Sequence, residues 1–497
     1  MGIVIRQSIR GSIVNYIGAF IGFLTTMFVV TKFLSPEDYG LLNVILYVAI
    51  FFASFVQLGT NMSIARFFPY FRDKEKNHNG FFFYITALPF IGCLIFIPIY
   101  LLLKEPIITF FDEDTQLFAA YFYWVIPLTV FWAYWAVFEA YSKANMKIVF
   151  PKTVREIIYR ALIIAVYLLY GLHVIDRKGA VSFYVIVCGI AMLIMLFYVS
   201  RIAPTSLKYN FSFIDKPLRK DIRNYTGILM LGTLGGSILG RMDLFIISSE
   251  LGFKMGGIYV IALALSALIE IPARAITAIS APIAATAMRE NNLHKANQLY
   301  KKVALNQMIV GGLIFVLIWI NIDSIFKIIP NGEIYAQGKW VVFFIGLARL
   351  INVKMNFGGI LVSFSKYYHW KTIFTFVVTA VGIAANYLLI PIFGISGSAI
   401  AVLITVILTC AFQQWIVWRK LNGNPYTKGT LKMILIIPAL LGINHFLPTF
   451  GNPFIDLAFR SSIIGIIALS AIHFGKVSDD MSGVLRKVLR EEIRQKK

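Results

Sequence analysis

Apolar residues run along this chain in blocks long enough to cross a bilayer, separated by short polar stretches. A hydrocarbon core about 30 Å thick takes roughly 20 residues of helix. By that measure the pattern predicts about fourteen membrane-spanning helices, at 11–33, 40–65, 81–103, 118–140, 157–174, 181–200, 225–248, 256–288, 304–322, 338–363, 371–393, 397–418, 431–447 and 454–474. The predicted fold class is an all-α polytopic membrane protein. The block 256–288 exceeds one span and contains Pro272 and Pro282, so a kinked or broken helix is predicted there.

Composition agrees with the pattern: 59% of the 497 residues are hydrophobic, which leaves no stretch for a sizeable soluble domain. Charge then sets the orientation. Lys and Arg gather in every second loop, as in 66–76, 143–155, 201–223 and 289–302, whereas the alternate loops hold only Lys32, Lys104, Arg177, Lys178, Lys254, Lys327 and Lys339. Cation-rich loops stay on the cytosolic side, so both termini are expected in the cytosol and the protein in the cell inner membrane. The net charge of +22 then reflects topology and attraction to anionic membrane lipids. No nucleic acid partner is expected, because no basic domain with interleaved aromatics is present. Arg6 and Arg10 precede a long apolar run with no small-residue cleavage site, so the first span is read as uncleaved. Cys93, Cys188 and Cys410 lie singly in apolar blocks and the histidines are not paired at ligand spacing, so neither disulfide nor metal is expected. Without a Walker-type glycine loop, no nucleotide or other cofactor is expected.

Two stretches repeat at one sequence offset. Lys32 to Leu41 aligns with Ser249 to Ile258, and Tyr170 to Ala180 with Tyr387 to Gly397. This predicts two pseudo-symmetric six-helix lobes in the same orientation, related by an axis along the membrane normal. The expected division is an N-lobe at 1–200, a cytosolic linker at 201–224, a C-lobe at 225–418, two added C-terminal helices at 431–474 and a cytosolic amphipathic tail at 475–497. The tail, with Val484, Leu485, Val488, Leu489 and Ile493 on one face, reads as a helix lying on the inner surface.

The segment Leu34-Ser35-Pro36-Glu37-Asp38-Tyr39-Gly40-Leu41 resembles the L-x-P-x-D/E-Y-G signature of bacterial polysaccharide and oligosaccharide-lipid flippases. These belong to the multidrug/oligosaccharidyl-lipid/polysaccharide (MOP) exporter superfamily. Asn386 to Ala401 is similar to a second stretch of that family, N-x-x-L-I-P-x-x-G-I-x-G-A-A-x-A, with Ser398 where Ala is usual. The resemblance implies a two-lobed, alternating-access transporter, not an enzyme, that moves an undecaprenyl-diphosphate-linked oligosaccharide across the inner membrane for O-antigen, capsule or exopolysaccharide synthesis. Its partners would be that substrate and membrane lipids, with polysaccharide assembly enzymes as further candidates that no residue specifies.

Such a cargo needs a polar, cationic cavity. A charge within a span costs about 2.5–3.5 kcal/mol on insertion scales and usually lines a cavity or pairs. The second lobe collects Arg241, Asp243, Glu270, Arg274, Arg349 and Lys354. Arg241, Arg274, Arg349 and Lys354 are the candidates for the diphosphate and adjoining acidic groups, with Arg favoured because guanidinium forks match phosphate oxygens. In the competing reading Arg241 neutralises Glu270 and Lys354 snorkels inward. Arg349 and Lys354 lie five residues apart, about 140° around a helix, which argues against one shared ligand. Asp456 and Arg460 are expected to pair, Arg160 to reach the inner headgroups, and Glu139 to face water at the end of span four. In the first lobe Asn15, Gln57 and Asn61 offer hydrogen bonds to sugar hydroxyls or between helices. Trp132 and Trp135 offer rings to stack on sugars, or for packing.

The competing functions are a drug/cation antiporter or a peptidoglycan lipid-precursor flippase of the same superfamily and, from another class, a membrane polysaccharide polymerase or glycosyltransferase. An antiporter would be expected to keep a buried carboxylate in the first lobe, and no Asp or Glu falls in the middle of spans one to six. A polymerase typically needs a large outer loop with grouped acid–base residues, and the outer loops are short.

Overall fold

Helices follow the apolar blocks closely. A computed structural model describes residues 3–73, 75–208, 216–217, 220, 222–223, 226–227 and 240–478. Most of the expected seventh span, much of the 201–224 linker and the tail from Asp479 lie outside the described residues. Every regular element among the described residues is helical, and twelve helices are long and apolar enough to cross a membrane. The chain is thus an all-α, multi-pass membrane protein. The expected fifth span is a further helical run, Val149–Thr153, Val154–Ile158 as a π turn, and Tyr159–Gly171, and it carries Arg155, Glu156 and Arg160.

One expected span is divided. In place of a single helix at 40–65 the chain forms Pro36–Val56 (α1) and Thr60–Phe71 (α2), because Leu58 and Gly59 both take positive φ between them. Positive φ ends a right-handed helix, and only glycine adopts it freely.

The described chain forms two compact units, Met1–Val260 and Ile261–Lys497. In the first, the Ser-Pro-Glu-Asp-Tyr-Gly turn shows why each residue is there. Ser35 is the extended N-cap, and its Oγ accepts the Asp38 N–H at 3.0 Å. Pro36 opens α1, where its missing N–H costs nothing. Glu37 and Asp38 put negative charge at the positive end of the helix dipole. Asp38 is buried, takes the Arg177 guanidinium at 2.5 Å and accepts hydrogen bonds from Ser35 and Tyr170 hydroxyls at 2.6 and 2.7 Å. Tyr39 packs edge-on against Tyr167.

Gly40 completes the turn, because a Cβ there would collide with the Phe253 carbonyl, while a Cβ on Gly257 would collide with the carbonyl of Pro36. These two contacts are reciprocal at the repeat offset read from the sequence, so the duplicated turns meet backbone to backbone. Phe253 and Gly257 belong to the next helix, Gly252–Ala267 (α3), and the Phe253 N–H donates to Asp114 at 2.5 Å.

In the second unit α3 ends in a tight 3-10 turn at Leu268–Glu270, and a new helix, Ile271–Arg289 (α4), starts with Pro272 in its first turn. The break predicted in the long eighth block lies there. Gln307, buried on Leu293–Ile320 (α5), donates to the Ala273 carbonyl and the Thr277 hydroxyl at 3.0 and 2.8 Å. The second motif joins Tyr368–Phe393 to Ile395–Leu421 through Gly394, at φ 57° and ψ −141°, a conformation essentially confined to glycine. Asn386 donates to the Gly382 carbonyl and accepts from Ser398 at 2.6 Å, so the departure from alanine at 398 adds a buried hydrogen bond. On the last described helix Arg460 and Asp456 pair at 3.0 Å as expected, and Asn444, Pro448, Ser324 and Phe450 occupy their remaining donors and acceptors.

The Gly40 contact predicts a sharp contrast between two small substitutions. Gly40→Ala meets a backbone carbonyl that has nowhere to go and should destabilise the protein by about 1–3 kcal/mol. Ser398→Ala loses one buried hydrogen bond and should cost about 1 kcal/mol. Thermal unfolding of the purified variants in detergent measures both.

Candidate functional site: a carboxylate between two arginines

The 3-10 turn between α3 and α4 carries a charged side chain at its end. Glu270 is the last residue of the 3-10 turn, Arg274 follows one turn into α4, and Arg349 projects from Lys339–Ser363 (α6). Glu270 Oε2 receives Arg349 Nη1 at 2.9 Å and Arg274 Nη2 at 3.3 Å. Helix α6 comes close at this level because Gly346 lies against Phe315 and Ile269, and a Cβ would crowd both. Three sequence candidates, Glu270, Arg274 and Arg349, therefore form one cluster. Two cations face one anion, so the group keeps an excess of one positive charge inside a membrane protein.

The other second-lobe candidates lie elsewhere. Lys354 points its ammonium at the Tyr426 ring, 4.2 Å from the centroid, so Lys354 and Arg349 turn to different partners, as their spacing on one helix requires. Arg241 precedes helix Met242–Glu250 and lies over the Tyr47 ring at 5.4 Å. Asp243 accepts a hydrogen bond from the Tyr259 hydroxyl at 2.8 Å. Glu270, expected as the counter-charge for Arg241, is already held by two arginines of its own unit.

The first unit contains a cavity of about 580 Å³ lined by Asn61, Glu139, Lys143 and Arg155 among apolar residues. Asn61 donates to Gln57 at 2.5 Å, which leaves its carbonyl oxygen without a hydrogen-bond partner among the described residues. One expectation needs correction here. Glu139 does not face bulk water: its side chain is 6% exposed and pairs with Lys143 at 2.5 Å and Arg155 at 2.7 Å. The first unit thus does hold a buried carboxylate, but two cations already occupy it. Trp135 is wholly buried, stacked on Trp132 at 4.8 Å with the Arg155 guanidinium over both rings. Its ring belongs to the core and is closed to a sugar. Asn15 is exposed on the first helix and does not line this cavity. Arg160, expected to reach headgroups, pairs with Glu156 at 2.9 Å.

Arg155 is the residue that sequence reading missed. It lies outside the span predicted at 157–174, and only the helical run from Val149 brings it to Glu139. The Glu139 and Lys143 spacing of four was the available signal. A second cavity of the first unit, about 680 Å³, is lined by Glu37, Asp112, Glu113, Asp114 and Arg177. Its charges are partly committed, Asp114 to the Phe253 N–H and Glu37 to Arg177 at 3.2 Å. Among the described residues no group of three or more His, Cys, Asp or Glu is placed to hold a metal ion.

Comparison with known proteins tests the resemblance carried by the two motifs. No curated protein matches the chain. Solved structures do. The inward closed conformation of the lipid II flippase MurJ superposes with a TM-score of 0.73 at 16% identity, covering 95% of this chain and 100% of that one. An inward-facing multidrug resistance MATE family transporter of the MOP superfamily gives 0.61 at 16% identity, over 82% and 94% of the two chains. A MOP superfamily transporter from Pyrococcus furiosus gives 0.53 at 13% identity, over 85% and 96%. At these identities the likeness is one of fold, and it is the fold that the motifs imply. Residues 4–282 match the polysaccharide biosynthesis protein family, more than half of the 497 residues. The chain belongs to the polysaccharide biosynthesis protein family and has the fold of MOP-superfamily transporters.

Proposed function

We propose that this protein is a flippase for a lipid-linked oligosaccharide of the undecaprenyl-diphosphate type. It would move repeat units for O-antigen, capsule or exopolysaccharide from the inner to the outer leaflet of the cell inner membrane. The observation that carries this reading is the cationic excess of the Glu270, Arg274 and Arg349 cluster. A sugar diphosphate is anionic and hydroxyl-rich, so the hydrocarbon core rejects it, whereas its prenyl tail is at home there. A carrier has to offer fixed positive charge to the headgroup and leave the tail in lipid. Nothing in that task breaks a covalent bond, so the protein acts as a transporter, by alternating access of two six-helix lobes, and not as an enzyme.

The antiporter reading would require a first-lobe carboxylate open to a cargo cation. Glu139 and Asp38 are the buried candidates, and Lys143 with Arg155 hold the first and Arg177 the second. The orientation that places both termini in the cytosol rests on the distribution of Lys and Arg among the loops.

In a host that lacks its own flippase, Arg349→Ala should lower surface polymer by about tenfold, the loss expected for a charge-assisted hydrogen bond in this site. Arg274→Ala, at a side chain 71% exposed, should lower it less. Both effects should appear at unchanged protein abundance, and normal export by both variants would exclude a role for these arginines. Topology has its own test. In intact cells, cysteine at exposed Lys178 should react with a membrane-impermeant thiol reagent, and cysteine at exposed Lys295 should not.

A further inference from the structure

Glu270 is held as a bound phosphate oxygen would be. One carboxylate oxygen pairs with guanidinium groups from two helices, Arg349 at 2.9 Å and Arg274, which also donates a hydrogen bond, at 3.3 Å. The frame around it is fixed by the close approach at Gly346 and by buried Gln307, which ties down the first turns of α4. The charged groups keep access to the outside: the side chain of Arg274 is 71% exposed, that of Arg349 24% and that of Glu270 18%. Arg349 Nε is a buried donor with no hydrogen-bond partner among the described residues. The cluster therefore has both unspent positive charge and an unused donor.

We propose that Glu270 is an internal surrogate anion, which occupies Arg274 and Arg349 between transport cycles and gives way to the diphosphate of the cargo. This rests on the flippase reading above and adds a specificity-determining residue that acts by competition. The largely buried Arg349 guanidinium is costly to leave without a counter-charge, so the carboxylate keeps the empty carrier stable. A diphosphate diester has two negative charges and more acceptor oxygens than a carboxylate, so it can displace Glu270 and engage the spare Arg349 donor. A phosphate headgroup with one negative charge gains little over Glu270 and is rejected, which is selection against the abundant competitor. When the cargo leaves, Glu270 returns to the arginines and hastens release.

The test uses the full-length protein in nanodiscs, with farnesyl-diphosphate-linked N-acetylglucosamine as the probe and farnesyl methyl phosphate, a phosphodiester with one negative charge, as the competitor. Glu270→Gln should bind the probe about tenfold more tightly than the wild type, within the range of ordinary coupling energies. It should also be inhibited more by the phosphodiester, and the gain should vanish when Arg349→Ala is added. Wild-type binding with no tightening in a Glu270→Gln protein of normal thermal midpoint overturns the inference and leaves the flippase reading standing. Failure of the wild type and every variant to bind the probe overturns both. If Glu270→Gln does not fold, Glu270→Asp, which withdraws the carboxylate by one methylene, should tighten binding two- to threefold, and unchanged binding overturns the inference.

Discussion

A charge carried into hydrocarbon has to be answered locally, and that constraint organises this protein. Among the described residues Asp38 has Arg177, Glu139 has Lys143 and Arg155, Glu156 has Arg160, and Asp456 has Arg460. Lys354 is answered by the quadrupole of the Tyr426 ring. The pair at Asp456 is saturated by hydroxyl, amide and backbone partners, which is the condition under which a buried ion pair is tolerated, and two hydroxyls donate to one oxygen of Asp38. Glu139 and Glu270 each face two cations, and the Glu270 cluster differs in using two arginines, one of them largely exposed, at the 3-10 interruption between α3 and α4.

The two motifs that mark the family do another kind of work. Pro36, Gly40 and Gly257 allow backbones to meet where side chains would hold them apart, and Gly394 turns one helix directly into the next. Ser35, Asp38 and Asn386 satisfy the polar groups that such close turns would leave unpaired. These residues fix how helices join.

Much of this was legible because bilayer thickness writes itself into the chain as blocks of apolar residues. Pro272 announced the break in the eighth block, whereas the repeat offset marked the two turns as duplicates without showing that they meet at Gly40 and Gly257. The limits of the reading have equally specific causes. Hydropathy cannot see a helix begin at Val149 when Arg155 and Glu156 lie in its first turns, so the partner of Glu139 was hidden. The positive φ at Leu58 is set by the turn and not by leucine's own preference, so the division of the second block was invisible. The choice of Arg349 by Glu270 needs the approach of α6 to the α3–α4 break, a tertiary fact with no local signature. The aromatic character of Trp135 was plain, but only packing tells a core ring from a binding surface.

The central claim is that fixed positive charge in the membrane recognises the diphosphate of the cargo. Proteoliposomes with a fluorescent prenyl-diphosphate-linked oligosaccharide, and with a neutral analogue in which an ether replaces the diphosphate, test this directly. The account predicts protein-dependent movement of the diphosphate form between leaflets and none of the neutral form. Equal movement of both would contradict it.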